Sequence, residues 1–282
     1  MIFKKQSAEL FIPDRIRAAD AIDRTTHIAF AAHQDDIEIM AYHGILECFG
    51  LSDKWFMGVV VTNGAGSPRD DVYANYTDEQ MQTIRRLEQK KAAIVGEYGA
   101  QALLDYSSSE VKSSSNPDVI DDIFNILMEA KPQVVYTHNL ADKHDTHVSV
   151  ALRTISAIRK MPAELRPISV YGCEVWRGLD WMNDDDKVVF NVETHENLAN
   201  ALLGVFDSQI CGGKRYDLAT MGRRRANATY HASHGTDEST SINFGMDLTP
   251  LIKDDTLDPQ SYVSSFIKHF ADEVCDRVEK FK

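Results

Sequence analysis

The sequence predicts an α/β fold: a three-layer arrangement with a parallel sheet, helices on both of its faces, and a mostly helical C-terminal cap. Three observations predict it. Short apolar runs rich in β-branched residues alternate with segments of helical period, which is the pattern of strand–helix–strand units and a parallel sheet. Two of the runs, 27–32 and 132–137, lead into histidine–aspartate clusters, His33-Gln34-Asp35-Asp36 and His144-Asp145-Thr146-His147. Open α/β sheets bind their ligands at the strand ends where such clusters would sit. After residue 195 the strand-like runs give way to helical ones. The expected organisation is a Rossmann-like core over 1–195 and a segment over 196–282 that packs on the same domain as a cap or substrate-shaping lobe.

The elements follow in order. Residues 27–32 read as a strand, 37–49 as a helix and 55–62 as a second strand. Thr77 with Gln80 is a capping box that opens a long helix ending near residue 97. A short strand is expected at 101–105, then a loop marked by six serines within 107–115. Asn116-Pro117 suits the N-cap and first turn of a helix over 117–130. The next strand is 133–137, and the second cluster leads into a helix over 147–160. Strands are read at 168–175 and 187–192, a polar loop over 231–245, and an amphipathic helix over 259–281. The sequence has no internal repeat.

Composition narrows the class. A chain of 282 residues with 43% hydrophobic content is ample for a packed core. A net charge of −13 argues against nucleic acid or an anionic membrane as the main partner. The one basic run, Arg223-Arg224-Arg225, reads as a solvated helix face. No run approaches the roughly 20 apolar residues of a membrane span. The lysines near the N-terminus are not followed by a signal-peptide apolar segment, so a cytoplasmic location is expected. The four cysteines, Cys48, Cys173, Cys211 and Cys275, lie far apart and are expected to be reduced thiols. A metal site would therefore rest on histidine and aspartate.

Imidazole and carboxylate together suit a divalent ion such as zinc, and iron or cobalt would accept the same donors. His33 and Asp36 are three apart and share a face on a first helical turn. Asp35 must then point elsewhere, which leaves one acid for a metal and its neighbour for a proton. His144 and His147 are also three apart, and at least one can meet the first cluster if the two strands are neighbours. Three protein ligands and a water make an open catalytic site, whereas four ligands make a closed structural one. The ordinary alternative is that Asp35 or Asp36 merely caps the helix beginning near residue 37. Two clusters, each after a buried strand, favour the metal.

At these residues the chain resembles the PIG-L/LmbE family of zinc-dependent N-acetyl-sugar deacetylases. The first family motif, Ala-His-Pro-Asp-Asp followed closely by Glu, stands here as Ala32-His33-Gln34-Asp35-Asp36-Ile37-Glu38. The second, His-x-Asp-His preceded by Asn and Asp, stands as His138-Asn139-Leu140-Ala141-Asp142-Lys143-His144-Asp145-Thr146-His147. Thr62-Asn63-Gly64, Arg85-Arg86-Leu87-Glu88 and Ser208-Gln209 match lesser motifs in the same order. There are two departures: Gln34 replaces a proline, and Thr146 replaces an aspartate whose role would be to orient a histidine, with Asp145 one residue earlier.

Carried over residue by residue, the resemblance implies His33, Asp36 and His147 as zinc ligands, Asp35 as general base and a protonated His144 as electrophilic partner. It implies hydrolysis of the N-acetyl group of an amino sugar such as N-acetylglucosamine, or of its conjugate, releasing acetate and a free amine. Asn63, opening the glycine-containing stretch 63–69 after the second strand, is expected to contact substrate, with an ordinary turn as the alternative. Arg85 or Arg86 is expected to reach a sugar hydroxyl or phosphate, with a surface ion pair as the alternative. Trp176 is expected to stack on a sugar ring, with a core position as its alternative. His231 and His234 have metal-like spacing but read mainly as a surface loop or substrate contact, and His27, His43, His195 and His269 as structural or surface residues. The partner is a small molecule, and a homo-oligomer is compatible with the sequence. Two other readings stay open: a zinc amidohydrolase acting on another N-acyl conjugate, and a non-catalytic sugar-binding module of the same fold.

Overall fold

Runs of small and β-branched residues, buried on both faces, build the sheet, and segments of helical period cover it. A computed structural model describes residues 1–282. The first half comprises β1 (Glu9–Phe11), α1 (Ala18–Asp23), β2 (His27–Ala31), α2 (Asp36–Met40), α3 (Tyr42–Leu46), β3 (Phe56–Thr62), α4 (Asp78–Val95), β4 (Ala100–Tyr106), α5 (Ser108–Lys112) and α6 (Asp118–Ala130). The second comprises β5 (Val134–His138), α7 (Asp145–Lys160), β6 (Ser169–Cys173), β7 (Val188–Asn191), α8 (Glu196–Gly204), α9 (Asp207–Ile210), α10 (Tyr216–Tyr230), β8 (Ile242–Asp247), α11 (Thr249–Lys253) and α12 (Pro259–Lys280).

The sheet runs β1-β4-β3-β2-β5-β6-β8-β7. Strands β4, β3, β2, β5 and β6 are mutually parallel. Every residue of β2 and β3 is buried, as a parallel sheet covered on both faces requires. Alternate β2 side chains feed the two cores: Ile28 and Phe30 join a cluster of 29 buried residues, while Ala29 and Ala31 join one of 26 on the opposite face. The two cores are similar in size, so neither face of the sheet meets water.

Chain order reverses at β2. Strands β3 and β4 follow on one side and β5 and β6 on the other. A crevice opens at such a switch point, beyond the carboxyl ends of the strands. The two clusters expected to meet therefore do so because β2 pairs directly with β5, Phe30 lying opposite Thr137.

Three local expectations are corrected. The helix expected over 37–49 breaks at Ala41 (φ −110°, ψ 20°) into α2 and α3. Gly44 lets α3 lie against the sheet, since a Cβ there would come within 2.5 Å of the Tyr136 ring, well inside van der Waals contact. The serine-rich loop contains a helical turn, α5, opened by a capping box between Ser107 and Glu110. Part of the expected polar loop 231–245 is strand β8, which returns from the cap to pair antiparallel with both β6 and β7. The sheet is thus parallel in its centre and antiparallel at both margins, where β1 also runs against β4. No helix is long and apolar enough to cross a membrane.

Candidate metal and active site

The crevice between β2 and β5 gathers three donor atoms from the two clusters. His33 Nδ1 lies 3.2 Å from Asp36 Oδ2 and 3.2 Å from His147 Nε2, and those last two atoms are 3.3 Å apart. This nearly equilateral triangle fits a metal. With metal–ligand bonds of about 2.0–2.1 Å, tetrahedral geometry separates neighbouring ligand atoms by about 3.3 Å. Two imidazoles and one carboxylate also suit a divalent transition ion.

The surrounding hydrogen bonds set the tautomers. His147 Nδ1–H donates to Asp142 Oδ2 at 3.2 Å, so Nε2 is the nitrogen that faces the triangle and would be offered to an ion. Burial disfavours a cation on His147, but Asp36 and Asp142 outweigh it and raise its pKa to about 10. The pocket thus attracts positive charge, which a divalent ion supplies more strongly than a proton. Burial alone would raise the Asp36 carboxyl, yet the facing His147, His138 and His33 hold it well below the usual range. Burial lowers His33 and keeps it neutral.

His138 and Asp142 had no role in the sequence reading. His138 also lies within donor reach of Asp36 and His147. Its Nε2 lone pair, however, accepts the Ala32 backbone N–H at 2.8 Å, so it ties the end of β5 to the end of β2 and is not free to bind an ion. Burial pulls its pKa down to about 4. Asp142 orients His147, the task of the family aspartate that Thr146 replaces. Asp145 instead begins α7, and its carbonyl accepts from the Ser149 hydroxyl.

Asp35 stands beside the triangle without joining it. It is 4% exposed, and its backbone is left-handed at φ 91°, a conformation costly for non-glycine residues. Burial raises its carboxyl well above the usual range, opposed by Arg85, whose Nη2 lies 3.9 Å from Asp35 Oδ1. The Asp35 N–H donates to Gln89 Oε1 at 3.4 Å, and Gln89 in turn donates to the buried Glu38 at 2.9 Å. Arg85 braces the two loops that flank Asp35. It donates to the carbonyls of Gln34 (2.7 Å) and Gly64 (3.2 Å) and to the Ser67 hydroxyl. Gly64 is required here: its φ is +76°, and a Cβ would strike the Gln34 side chain.

These residues floor an open cleft of about 220 Å³. His144 borders it, and its ring sits 5.1 Å from His33 and 4.7 Å from His147, centroid to centroid. Burial and the two neighbouring histidines lower its pKa. His144 faces the cleft beside the donor triangle. Trp176 lines the cleft with Tyr216 at 6.0 Å, and Lys143 and Lys214 lie 5.3 and 5.4 Å from its ring. Gln209, Tyr216 and Lys112 also line it, although no sequence motif singled out the last two.

Two expected contacts lie elsewhere. Arg86 turns away from the cleft and pairs with Glu9 and Asp105, because its side of α4 faces β1 and β4. Asn63 uses its side chain to accept the Ala65 N–H at 3.2 Å, which shapes the turn, and the cleft is lined by Thr62 and residues 64–68. His231 packs on Phe244 and His234 is exposed, and neither belongs to a group of close metal donors. A separate cleft of about 430 Å³ carries Glu193, Glu196, Asp237 and Glu238 but none of the donor triangle.

The family model described as PIG-L, GlcNAc-PI de-N-acetylase, matches residues 28–158, which span both clusters. That stretch is similar to a PIG-L domain. The description of that family model is of a de-N-acetylase. No curated protein sequence matches the chain. Among solved structures, it is similar to GalB, the 4-carboxy-2-hydroxymuconate hydratase of Pseudomonas putida, with 14% identity, a TM-score of 0.61 and coverage of 79% of this chain and 95% of that one. It is also similar to the N,N'-diacetylchitobiose deacetylase of Pyrococcus horikoshii, with 15% identity, a TM-score of 0.56 and coverage of 82% and 88%. A third is the zinc-inhibited form of teicoplanin deacetylase, with 15% identity, a TM-score of 0.58 and coverage of 79% and 97%. At such identities the likeness shows a shared fold. A hydratase and two deacetylases share it, so the reaction must be argued from the site.

Proposed function

We propose that this protein hydrolyses the N-acetyl group of an amino sugar or its conjugate, with a divalent ion, zinc foremost, held by His33, Asp36 and His147. The observation that carries the proposal is the donor triangle with edges of 3.2–3.3 Å beside a buried carboxyl, Asp35, that is not part of it. Binding alone has no use for that second acid, whereas amide hydrolysis needs a base. An ion bound there would lower the pKa of a coordinated water and polarise the acetamide carbonyl.

The residues then divide the proton work. Asp35 takes a proton from the attacking water, and its desolvated setting makes it a stronger base than an exposed aspartate. His144 donates a hydrogen bond to the carbonyl oxygen as charge gathers on it. The C–N bond breaks, the amine leaves with the proton carried by Asp35, and acetate remains. Trp176 offers its face to the sugar ring. Arg85 contributes indirectly, by fixing the loops on either side of Asp35. In this reading residues 1–195 carry the chemistry, and 196–282 shape the substrate site through Gln209 and Tyr216.

The test is acetate release from N-acetylglucosamine and its simple conjugates, set against conjugates of longer acyl chain. The protein would be stripped of metal and reloaded with zinc, cobalt or iron. Zinc should be titrated up to one equivalent and beyond, since a structural relative was captured in a zinc-inhibited form. Acetate from the amino sugars is the expected result. Release from the longer conjugates alone would move the substrate class, and metal binding without any turnover would favour a sugar-binding module.

A further inference from the structure

The basic run 223–225 is not the solvated face that its composition suggests. Arg225 is exposed and pairs with Glu196, and Arg223 donates to the carbonyls of Val175 and Arg177. Arg224, between them, is 1% exposed. Its Nη2 donates to the carbonyls of Glu38 (2.8 Å) and Ile39 (3.2 Å), and its guanidinium lies 4.5 Å from the centre of the Tyr42 ring. It has no carboxylate partner, and burial pulls its pKa down to about 10, so it remains a cation at neutral pH.

Burying an arginine without a counter-ion costs several kcal/mol, and an apolar side chain of similar size would pack at lower cost. The two carbonyls are thus what the guanidinium reaches for. They belong to α2, a helix of five residues, far too short to hold its shape unaided. Asp35 immediately precedes it, without a capping side-chain hydrogen bond, and Asp36 is its first residue. Its flank is fixed through Glu38, which accepts from Gln89 (2.9 Å) and Tyr98 (2.8 Å). Its C-terminal end is held from the cap, by Arg224 and by Asn243, whose Nδ2 lies 3.5 Å from the Ile39 carbonyl.

We propose that Arg224 is a positioning residue: it clamps the C-terminal end of α2, so that Asp35 and Asp36, one helical turn away, stay aimed at the donor triangle. The segment 196–282 is then a working part of the catalytic unit as well as a wall of its cleft. This inference rests on the metal and base roles given above.

The test compares wild type and R224M for zinc Kd, kcat and KM, each per folded chain as judged by gel filtration and near-ultraviolet circular dichroism. A supporting result is a zinc Kd weaker by about 10-fold and a kcat lower by about 10–100-fold, with KM changed by less than about 3-fold, as expected for misplacement of groups that do not bind the sugar. Wild-type Kd and kcat in a folded R224M would overturn the inference. Should R224M not fold, R224K carries the test. Its ammonium keeps the charge on a shorter side chain that lacks the planar group lying 4.5 Å from the Tyr42 ring and falls short of the place where Nη2 meets both carbonyls, so a few-fold loss in Kd and kcat at an unchanged melting temperature is expected, and wild-type values overturn the inference equally. If the wild type binds zinc but releases no acetate, the deacetylase reading fails, while the Kd comparison still decides the role of Arg224.

Discussion

Replacing Asp142 with asparagine should weaken metal binding although Asp142 is not in the donor triangle. Its carboxylate accepts three N–H groups: the His144 backbone at Oδ1 (3.2 Å), and His147 Nδ1 (3.2 Å) and the Val175 backbone (3.3 Å) at Oδ2. Asparagine offers one oxygen and one NH₂, so any rotamer sets a donor against a donor. The better rotamer keeps His147 and Val175 and strands the His144 N–H, at a cost of about 1–3 kcal/mol for an unsatisfied buried group. It also removes the negative charge that fixes the His147 tautomer. Loss of such a partner typically weakens metal affinity by about 10–100-fold, or about 1.4–2.7 kcal/mol. Zinc Kd by chelator competition, with urea unfolding of the metal-free protein in parallel, measures both effects. A Kd within about 2-fold of wild type would refute the claim that Asp142 prepares His147 as a ligand.

Three further outcomes are expected. Asp36→Ala should lose stoichiometric metal, and one zinc per chain in that variant, by elemental analysis, would rule Asp36 out as an essential ligand. Thr77→Ala breaks the reciprocal capping box at the start of α4, the helix that carries Arg85 and Gln89; urea unfolding should show a loss of about 1 kcal/mol, and an unchanged midpoint would contradict that role. His27 is pulled down to about 4 by burial and by nearby Lys54, whereas an unfolded histidine titrates near 6.5. The unfolded chain therefore binds the extra proton between those values, and stability falls as pH drops through the window, by up to about 1.4 kcal/mol per pH unit. His27→Gln should flatten that slope, and an identical pH profile would show that His27 does not contribute.

What the sequence made legible was whatever depends on neighbours in the chain. His33, Asp35, Asp36 and His147 stand out because a buried strand delivers each cluster to the sheet edge, and adjacency of β2 and β5 then brings the clusters together. The Thr77–Gln80 capping box is as local a signal and forms as expected. The equivalent box at Ser107 and Glu110 carried the same signal, but it was masked by the serines around it. Strand β8 alternates Ile242, Phe244 and Met246 with Asn243, Gly245 and Asp247. That period was present but short, and it abuts a polar loop. Arg224 and Asp142 were illegible for a different reason. Their roles depend on what they meet after folding: a carbonyl pair 185 and 186 residues away for Arg224, and a histidine turned toward Asp142 by the start of α7. Arg85 and Arg86 show the limit most plainly. They are adjacent in sequence and alike in chemistry, yet the turn of α4 sends one into the cleft and the other to Glu9 and Asp105.

The most direct test of the central claim is metal content and acetate release measured together on wild type and Asp35→Asn. Asparagine is the better substitute because it tolerates the left-handed backbone at this position. The expected result is about one divalent ion per chain in both proteins, with acetate released from an N-acetyl amino sugar by the wild type and a rate lower by about 10²–10⁴-fold in the variant. Equal turnover in the two proteins, or loss of the metal from Asp35→Asn, would contradict a metal held by His33, Asp36 and His147 with Asp35 free to act as base.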